Sequence, residues 1–168
     1  YGYALRVNDS TENLLSISIQ SHLETAPTIP AVYVFIHARN LVSRASVHFL
    51  QQGKITLAMP KNELQEGISH ITLFDSELRP VCERLYFMPV KNKLMIDIQP
   101  SQREFGLRRK ITLDITTQNV NGEPQATNVS VAVYRSDSLL QKTEGNMVSY
   151  LWLTSDLTGS IESPEYFI

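Results

Sequence analysis

The chain is predicted to be all-β on three observations: two strand pairs folded about polar turns, a period-two alternation in the N-terminal residues, and about seven short strand-like runs in about ninety residues. The first pair spans residues 67–87. In Ile71-Thr72-Leu73-Phe74 and Val81-Cys82-Glu83-Arg84-Leu85-Tyr86-Phe87, β-branched and aromatic side chains suit a pleated surface, and residues 75–80 supply turn chemistry ending on Pro80, which cannot donate to a ladder. The second pair, 111–134, is built the same way around Asn121-Gly122-Glu123-Pro124.

Taken in order, residues 3–8 and 14–20 alternate about a polar turn at 9–13 and predict a hairpin. Pro27 and Pro30 interrupt, and Val32-Tyr33-Val34-Phe35-Ile36-His37-Ala38 resumes as a continuous apolar run of the kind buried on both faces, hence a central strand. Strands at 45–50 and 55–59 and the 67–87 pair follow, giving the sandwich rhythm of about seven strands in about ninety residues. Met88-Pro89-Val90-Lys91-Asn92-Lys93 then reads as a domain junction. Beyond it, 94–98, 111–117 and 129–134 open a second set of strands. In 146–157, Val148, Leu151, Trp152 and Ser155 fall at helical spacing with Gly159 placed to stop them, so a short helix is expected near the C-terminus. The organisation expected is two tandem immunoglobulin-like sandwiches, residues 1–90 and 91–168, the second incomplete.

Composition excludes several classes. Fifteen basic and 17 acidic side chains leave a net charge of −2, so no bulk field draws phosphate backbones, and nucleic acid is not an expected partner. No run nears the roughly 18 apolar residues of a bilayer-crossing helix, so no membrane insertion is expected. The chain opens on Tyr1 and stops at Ile168 without a polar tail, which leads us to expect a piece of a longer protein whose export signal lies outside it. A lone cysteine, Cys82, excludes an internal disulfide and a cysteine zinc cage; inert packing is its expected role, a reactive thiol the alternative.

Candidate chemistry is thin. Histidines at 22, 37, 48 and 70 invite a metal, and a hairpin centred between Val42 and Ser43 would place His37 opposite His48, but a structural site needs about four ligands and no others lie nearby in sequence. Asp75 with Glu77, and Glu162 with Glu165, read as solvated carboxylates of turns and a terminus rather than an acid–base pair. Arg103, Arg108, Arg109 and Lys110 could bind an acidic partner but read as a solvated loop. Tyr150, Trp152, Tyr166 and Phe167 could stack on sugars, against the plainer reading of Trp152 as core. Neither a Gly-x-Ser-x-Gly elbow nor a phosphate-cradling glycine loop occurs. No catalytic residue, metal ligand, cofactor or ligand-binding residue is assigned, and no enzyme is expected.

Three segments carry a family resemblance. Gly67-Ile68-Ser69-His70-Ile71-Thr72-Leu73-Phe74-Asp75, with Pro80 and Glu83-Arg84-Leu85-Tyr86-Phe87, resembles the closing strand pair of a macroglobulin-type domain of the alpha-2-macroglobulin and complement superfamily. Phe105-Gly106-Leu107, Lys110-Ile111-Thr112-Leu113-Asp114-Ile115, Gly122-Glu123-Pro124-Gln125-Ala126 and Val129-Ser130-Val131-Ala132-Val133 are similar to the opening of the next such domain. Ser149-Tyr150-Leu151-Trp152-Leu153-Thr154-Ser155-Asp156-Leu157-Thr158-Gly159, with Ile161-Glu162-Ser163-Pro164 and Tyr166-Phe167, resembles the segment that follows two sandwiches in large envelope proteins of Gram-negative bacteria, ahead of a region similar to TonB-dependent receptor plugs. The resemblance implies an exported protein, periplasmic or at the outer membrane, whose domains are spacers or docking surfaces. The Gly-Cys-Gly-Glu-Gln thioester motif is absent, so covalent trapping does not carry over, and no bait-like segment is visible. The expectation is a non-enzymatic structural or protein-interaction region whose partner is another protein or the rest of its own chain. The alternative is a carbohydrate-binding module of an outer-membrane polysaccharide uptake system, relying on Trp152, Tyr150 or Tyr166.

Overall fold

A computed structural model of the chain describes residues 2–9, 11–22, 31–133 and 146–168. The proline breaks at 27 and 30 and Tyr134 lie outside the described residues. Over the described residues the structure is all-β, with antiparallel sheets and one short α-helix near the C-terminus. By contact it divides into two compact units, one of Tyr1–Val90 with Glu144–Ile168 and one of Lys91–Thr143. The division at 90 falls inside the segment read as a junction. Residues 146–168, placed by the sequence reading at the end of the second domain, belong to the first unit, where Asp156 and Trp152 engage Arg39.

Among its described residues the first unit contains seven strands: β1 (Tyr3–Asn8), β2 (Leu14–Ser21), β3 (Ala31–Ala38), β4 (Leu41–Phe49), β5 (Lys54–Pro60), β6 (Gly67–Phe74) and β7 (Pro80–Met88). They form a three-stranded sheet in the order β1-β2-β5 and a four-stranded sheet in the order β4-β3-β6-β7, all antiparallel. Alternation dictates which side chains meet between the sheets. Leu5 of β1, Leu15, Ile17 and Ile19 of β2 and Met59 of β5 share one buried cluster with Val32, Val34 and Ile36 of β3 and Ile71 and Leu73 of β6. Registers reinforce the faces: Ile17 lies across from Leu57, and Ile36 across from Ile71. A β-sandwich results, each sheet giving one face to a common core.

One expectation is corrected here. The composition of the β3 run predicts burial on both faces, whereas burial alternates along it: Val32, Val34, Ile36 and Ala38 are buried and Tyr33, Phe35 and His37 are half-buried. The strand is central, between β4 and β6. Its outer face is apolar because aromatic side chains stand there, and composition alone does not separate that from two-sided burial.

In the second unit β8 (Met95–Pro100) pairs with β9 (Leu113–Gln118), Met95 opposite Gln118 and Pro100 opposite Leu113. The turn after β9 is built by Asn119, whose Oδ1 accepts from the backbone N–H of Asn121 (2.9 Å) and Glu123 (3.0 Å), with Gly122 at φ +80° where a side chain would be strained. The chain then returns far enough for the Gln125 N–H to donate to the Thr117 carbonyl (3.0 Å). The strand expected at 129–134 is not formed over its described part, 129–133, and Val129, Val131 and Val133 are exposed. Pro124 cannot donate, and among the described residues no ladder continues past this point.

The helix, α1 (Met147–Trp152), is shorter than expected and buries a different face. Asn146 and Ser149 form a reciprocal capping box, and Ser149 and Leu153, not Val148 and Leu151, are the buried residues. It ends well before Gly159 because Leu153 leaves helical geometry (φ −128°, ψ −67°), and the Trp152 carbonyl and ring lie against Gly67. Among the described residues no helix is long and apolar enough to cross a membrane, which says nothing of a β-barrel.

The shared core sets a stability prediction. Ile36→Ala and Ile71→Ala should each cost about 2–5 kcal/mol in denaturant unfolding, and as register partners they should combine non-additively. Leu107→Ala, at a side chain 98% exposed, should stay within about 0.5 kcal/mol.

Candidate functional site

An antiparallel sheet with one face on a core ordinarily turns polar residues outward. The four-stranded sheet departs from this. Its outer face carries Tyr33 and Phe35 on β3, Ala45, Val47 and Phe49 on β4, and Phe74 on β6, because register sets Tyr33 across from both Val47 and Phe74 and Phe35 across from Ala45. All of these but Phe49 line, with Leu78 from the β6–β7 turn, an open apolar trough of about 480 Å³. Among the described residues lining it, none is charged. Val47 is 50% exposed and Phe49 61%.

The aromatic row continues along β3 into a histidine pair. His37 and His70 are register partners with stacked rings, centroids 5.1 Å apart and planes 9° from parallel, and the Phe35 ring lies 5.1 Å from that of His37. Glu83 accepts from His70 Nδ1 at 2.6 Å, and His37 Nδ1 lies 3.2 Å from the Arg39 carbonyl. The expected His37–His48 opposition is therefore replaced. The β3–β4 turn is the tight pair Arg39-Asn40, with Arg39 in the left-handed region (φ 53°), and this sets His37 against Val42 and His48 against Val32. His48 instead reaches Ser46 Oγ (2.8 Å), and burial, with Arg44 adding to it, pushes its imidazole pKa down. His22 is exposed. Among the described residues no group of three or more His, Cys, Asp or Glu could hold a metal ion.

Past the histidines the C-terminal segment is clasped by one side chain. Arg39 Nε donates to Asp156 Oδ2 (3.1 Å), its Nη2 donates to the Leu151 carbonyl, and its guanidinium stands 5.1 Å from the centre of the Trp152 ring. Gly67, at φ +90°, leaves room for Trp152: a Cβ there would meet the tryptophan carbonyl at 3.2 Å and ring at 3.3 Å. Trp152 is thus half-buried in packing, while Tyr150 and Tyr166 are exposed, Tyr166 edge-on to Phe167.

The turn at 75–80 forms, but Asp75 corrects the reading of Asp75 and Glu77 as solvated carboxylates. It is 5% exposed, and its Oδ1 accepts from the backbone N–H of Glu77 (2.9 Å) and Arg79 (3.0 Å) while Oδ2 takes Arg79 Nε (2.9 Å) and Nη2 (2.8 Å). These bonds, led by the Arg79 backbone N–H, hold its pKa below the usual carboxylate range. Glu77, Glu162 and Glu165 are exposed as expected of turn and terminal carboxylates. A second carboxylate the sequence reading passed over, Asp9, is held low by Lys61 and then by the Tyr86 hydroxyl (2.8 Å); burial and that same bond push Tyr86 up to about 12. Cys82, half-buried against the core, donates to the Tyr3 carbonyl (3.2 Å), joining the edges of the two sheets. Arg103, Arg108, Arg109 and Lys110 are exposed in the second unit. The trough itself was legible only as apolar strands; its openness depends on which strand lies at the sheet edge.

No family model matches the chain, and no curated protein matches it.

The lowered pKa of Asp75 gives a signed prediction. A depressed carboxylate stabilises the fold fully above the ordinary value of 3.8 and loses that contribution as pH falls through its lower folded value. Urea unfolding measured from neutral pH downward should therefore show a steep acid loss in the wild type and a shallower one in Asp75→Asn, whose stability should already be reduced at neutral pH.

Proposed function

We propose that this chain is a non-enzymatic protein-interaction region of a larger exported bacterial envelope protein, periplasmic or at the outer membrane, in which sandwiches of the macroglobulin type serve as docking surfaces. The observation that carries the reading is the uncharged, open trough bounded by Tyr33, Phe35, Ala45, Val47, Phe74 and Leu78 on the side of a sheet that should face water. Exposed apolar surface of this kind marks interaction sites in soluble domains. The strand orders 1-2-5 and 4-3-6-7, with chain crossings between sheets, support reading the first unit as immunoglobulin-like.

The non-enzymatic part of the proposal is supported by how the polar groups are used. Asp75 and Asp9 are bound up in turn and strand contacts, and Glu83 is paired with His70. None of these groups faces the trough as a lining residue. The sugar-platform reading gains no support from Trp152, whose ring is occupied by Arg39 and Gly67.

A photo-cross-linking amino acid at Val47 of the parent protein, expressed in its own cells, should give a discrete cross-linked protein product in the envelope fraction. The same group at Glu12, an exposed position on the other sheet's side of the fold, should not. A product at Glu12 with none at Val47 contradicts the proposal.

A further inference from the structure

The first unit has four edge strands among the described residues, β1 and β5 on one sheet and β4 and β7 on the other. Natural sheets guard such edges with charge, proline, bulges or cover, since unpaired N–H and C=O groups are a template for another strand. Three of the four are guarded. β1 and β7 close over one another, with Cys82 donating to the Tyr3 carbonyl, and β7 also carries Pro80, Glu83 and Arg84. β5 begins at Lys54 and ends at Pro60. β4 has neither lysine nor proline, and its one charge, Arg44, lies on the core-facing side across from Ile36, engaged by Glu63 (2.9 Å) and the Ala58 carbonyl of β5 (3.4 Å), so that this charge guards the edge only near residue 44 and none stands on the outer face beside the trough. The register shift beside His37 confines its irregularity to the turn end, leaving residues 44–49 as a regular run next to the trough.

We propose that the edge of β4 with which no other described strand pairs, along residues 44–49, accepts an added strand from another polypeptide: an extended, uncharged segment whose alternate apolar side chains pass over Ala45 into the trough. This rests on the reading of that face as an interaction surface and names the partner's chemistry. Main-chain pairing supplies affinity, and the pocket beside the strand supplies side-chain selection. The trough's volume of about 480 Å³ suits apolar side chains, and Ala45, the smallest outer-face residue of β4, leaves the entrance low. The uncharged lining excludes a charged segment, because a buried unpaired charge is costly. A second copy of this chain fits less well. Self-pairing about the centre of 44–49 sets Arg44 opposite Phe49 and leaves both troughs unfilled.

The test uses the 168-residue chain and a blocked, fluorescein-labelled peptide of alternating valine and threonine, with a control peptide N-methylated on alternate amides, followed by fluorescence anisotropy. The unmethylated peptide should bind saturably. N-methylation should weaken it at least about tenfold, as the loss of several main-chain hydrogen bonds requires, and so should Ala45→Arg, an exposed substitution whose far-UV circular dichroism and thermal midpoint should match wild type. Equal binding of both peptides overturns strand addition while leaving the apolar face as an interaction surface. Absence of binding by either, with the Val47 cross-link still formed in cells, overturns it in the same way. A dimer of the chain that Ala45→Arg dissolves and the peptide cannot displace assigns the edge to a second copy and also overturns it.

Discussion

Burial of one side of each sheet against the other is the constraint from which the first unit follows. Leu15, Ile17 and Ile19 can leave water only if β2 presents that side to Val34, Ile36, Ile71 and Leu73, and a one-residue slip in any of these strands would send the whole set outward. The registers of β2 with β5 and of β3 with β6 are therefore fixed by the core. Turns then adapt: Arg39 and Leu78 take left-handed backbone (φ 53° and 61°), a strain these residues bear because the strands on either side are already set.

The same registers decide what stands on the far side of the four-stranded sheet. Once Val32, Val34 and Ile36 point inward, Tyr33, Phe35 and His37 must point outward, and the partners of β3 bring Val47, Ala45 and Phe74 beside them. The aromatic face is thus a geometric consequence of the core, and the C-terminal segment meets the sheet at Arg39 and Gly67. What is left open lies toward β4, at the edge where no other described strand pairs. Polar groups around it are arranged to hold the frame: Asp75 builds the β6–β7 turn, and Asp9, Lys61 and Tyr86 tie three parts of the sandwich together.

Much of the fold could be read before any coordinates, because period-two alternation and turn residues are local signals. The strands at 3–8, 14–20, 71–74 and 81–87 lie within β1, β2, β6 and β7 for that reason. Properties set by neighbours were not legible. Whether Tyr33 and Phe35 were covered depended on what lay over β3, and the partner of His37 depended on a two-residue turn that Arg39 is an unusual residue to form. Asp75 looked like any turn carboxylate, yet four donors from Glu77 and Arg79 converge on it. The strand expected at 129–134 had the composition of a strand, but alternation cannot supply a ladder partner. The helix near 150 was visible as a tendency, while its length was set by the packing of Trp152 on Gly67.

Amide hydrogen exchange of the folded chain, resolved residue by residue, tests the central claim of a common core beside a β4 edge with which no other described strand pairs. The account predicts the slowest exchange in β2, β3 and β6, and along residues 44–49 of β4 an alternation in which every second amide is protected by β3 and the next exchanges quickly. Uniform protection along β4, or rapid exchange throughout β3 and β6, would contradict it.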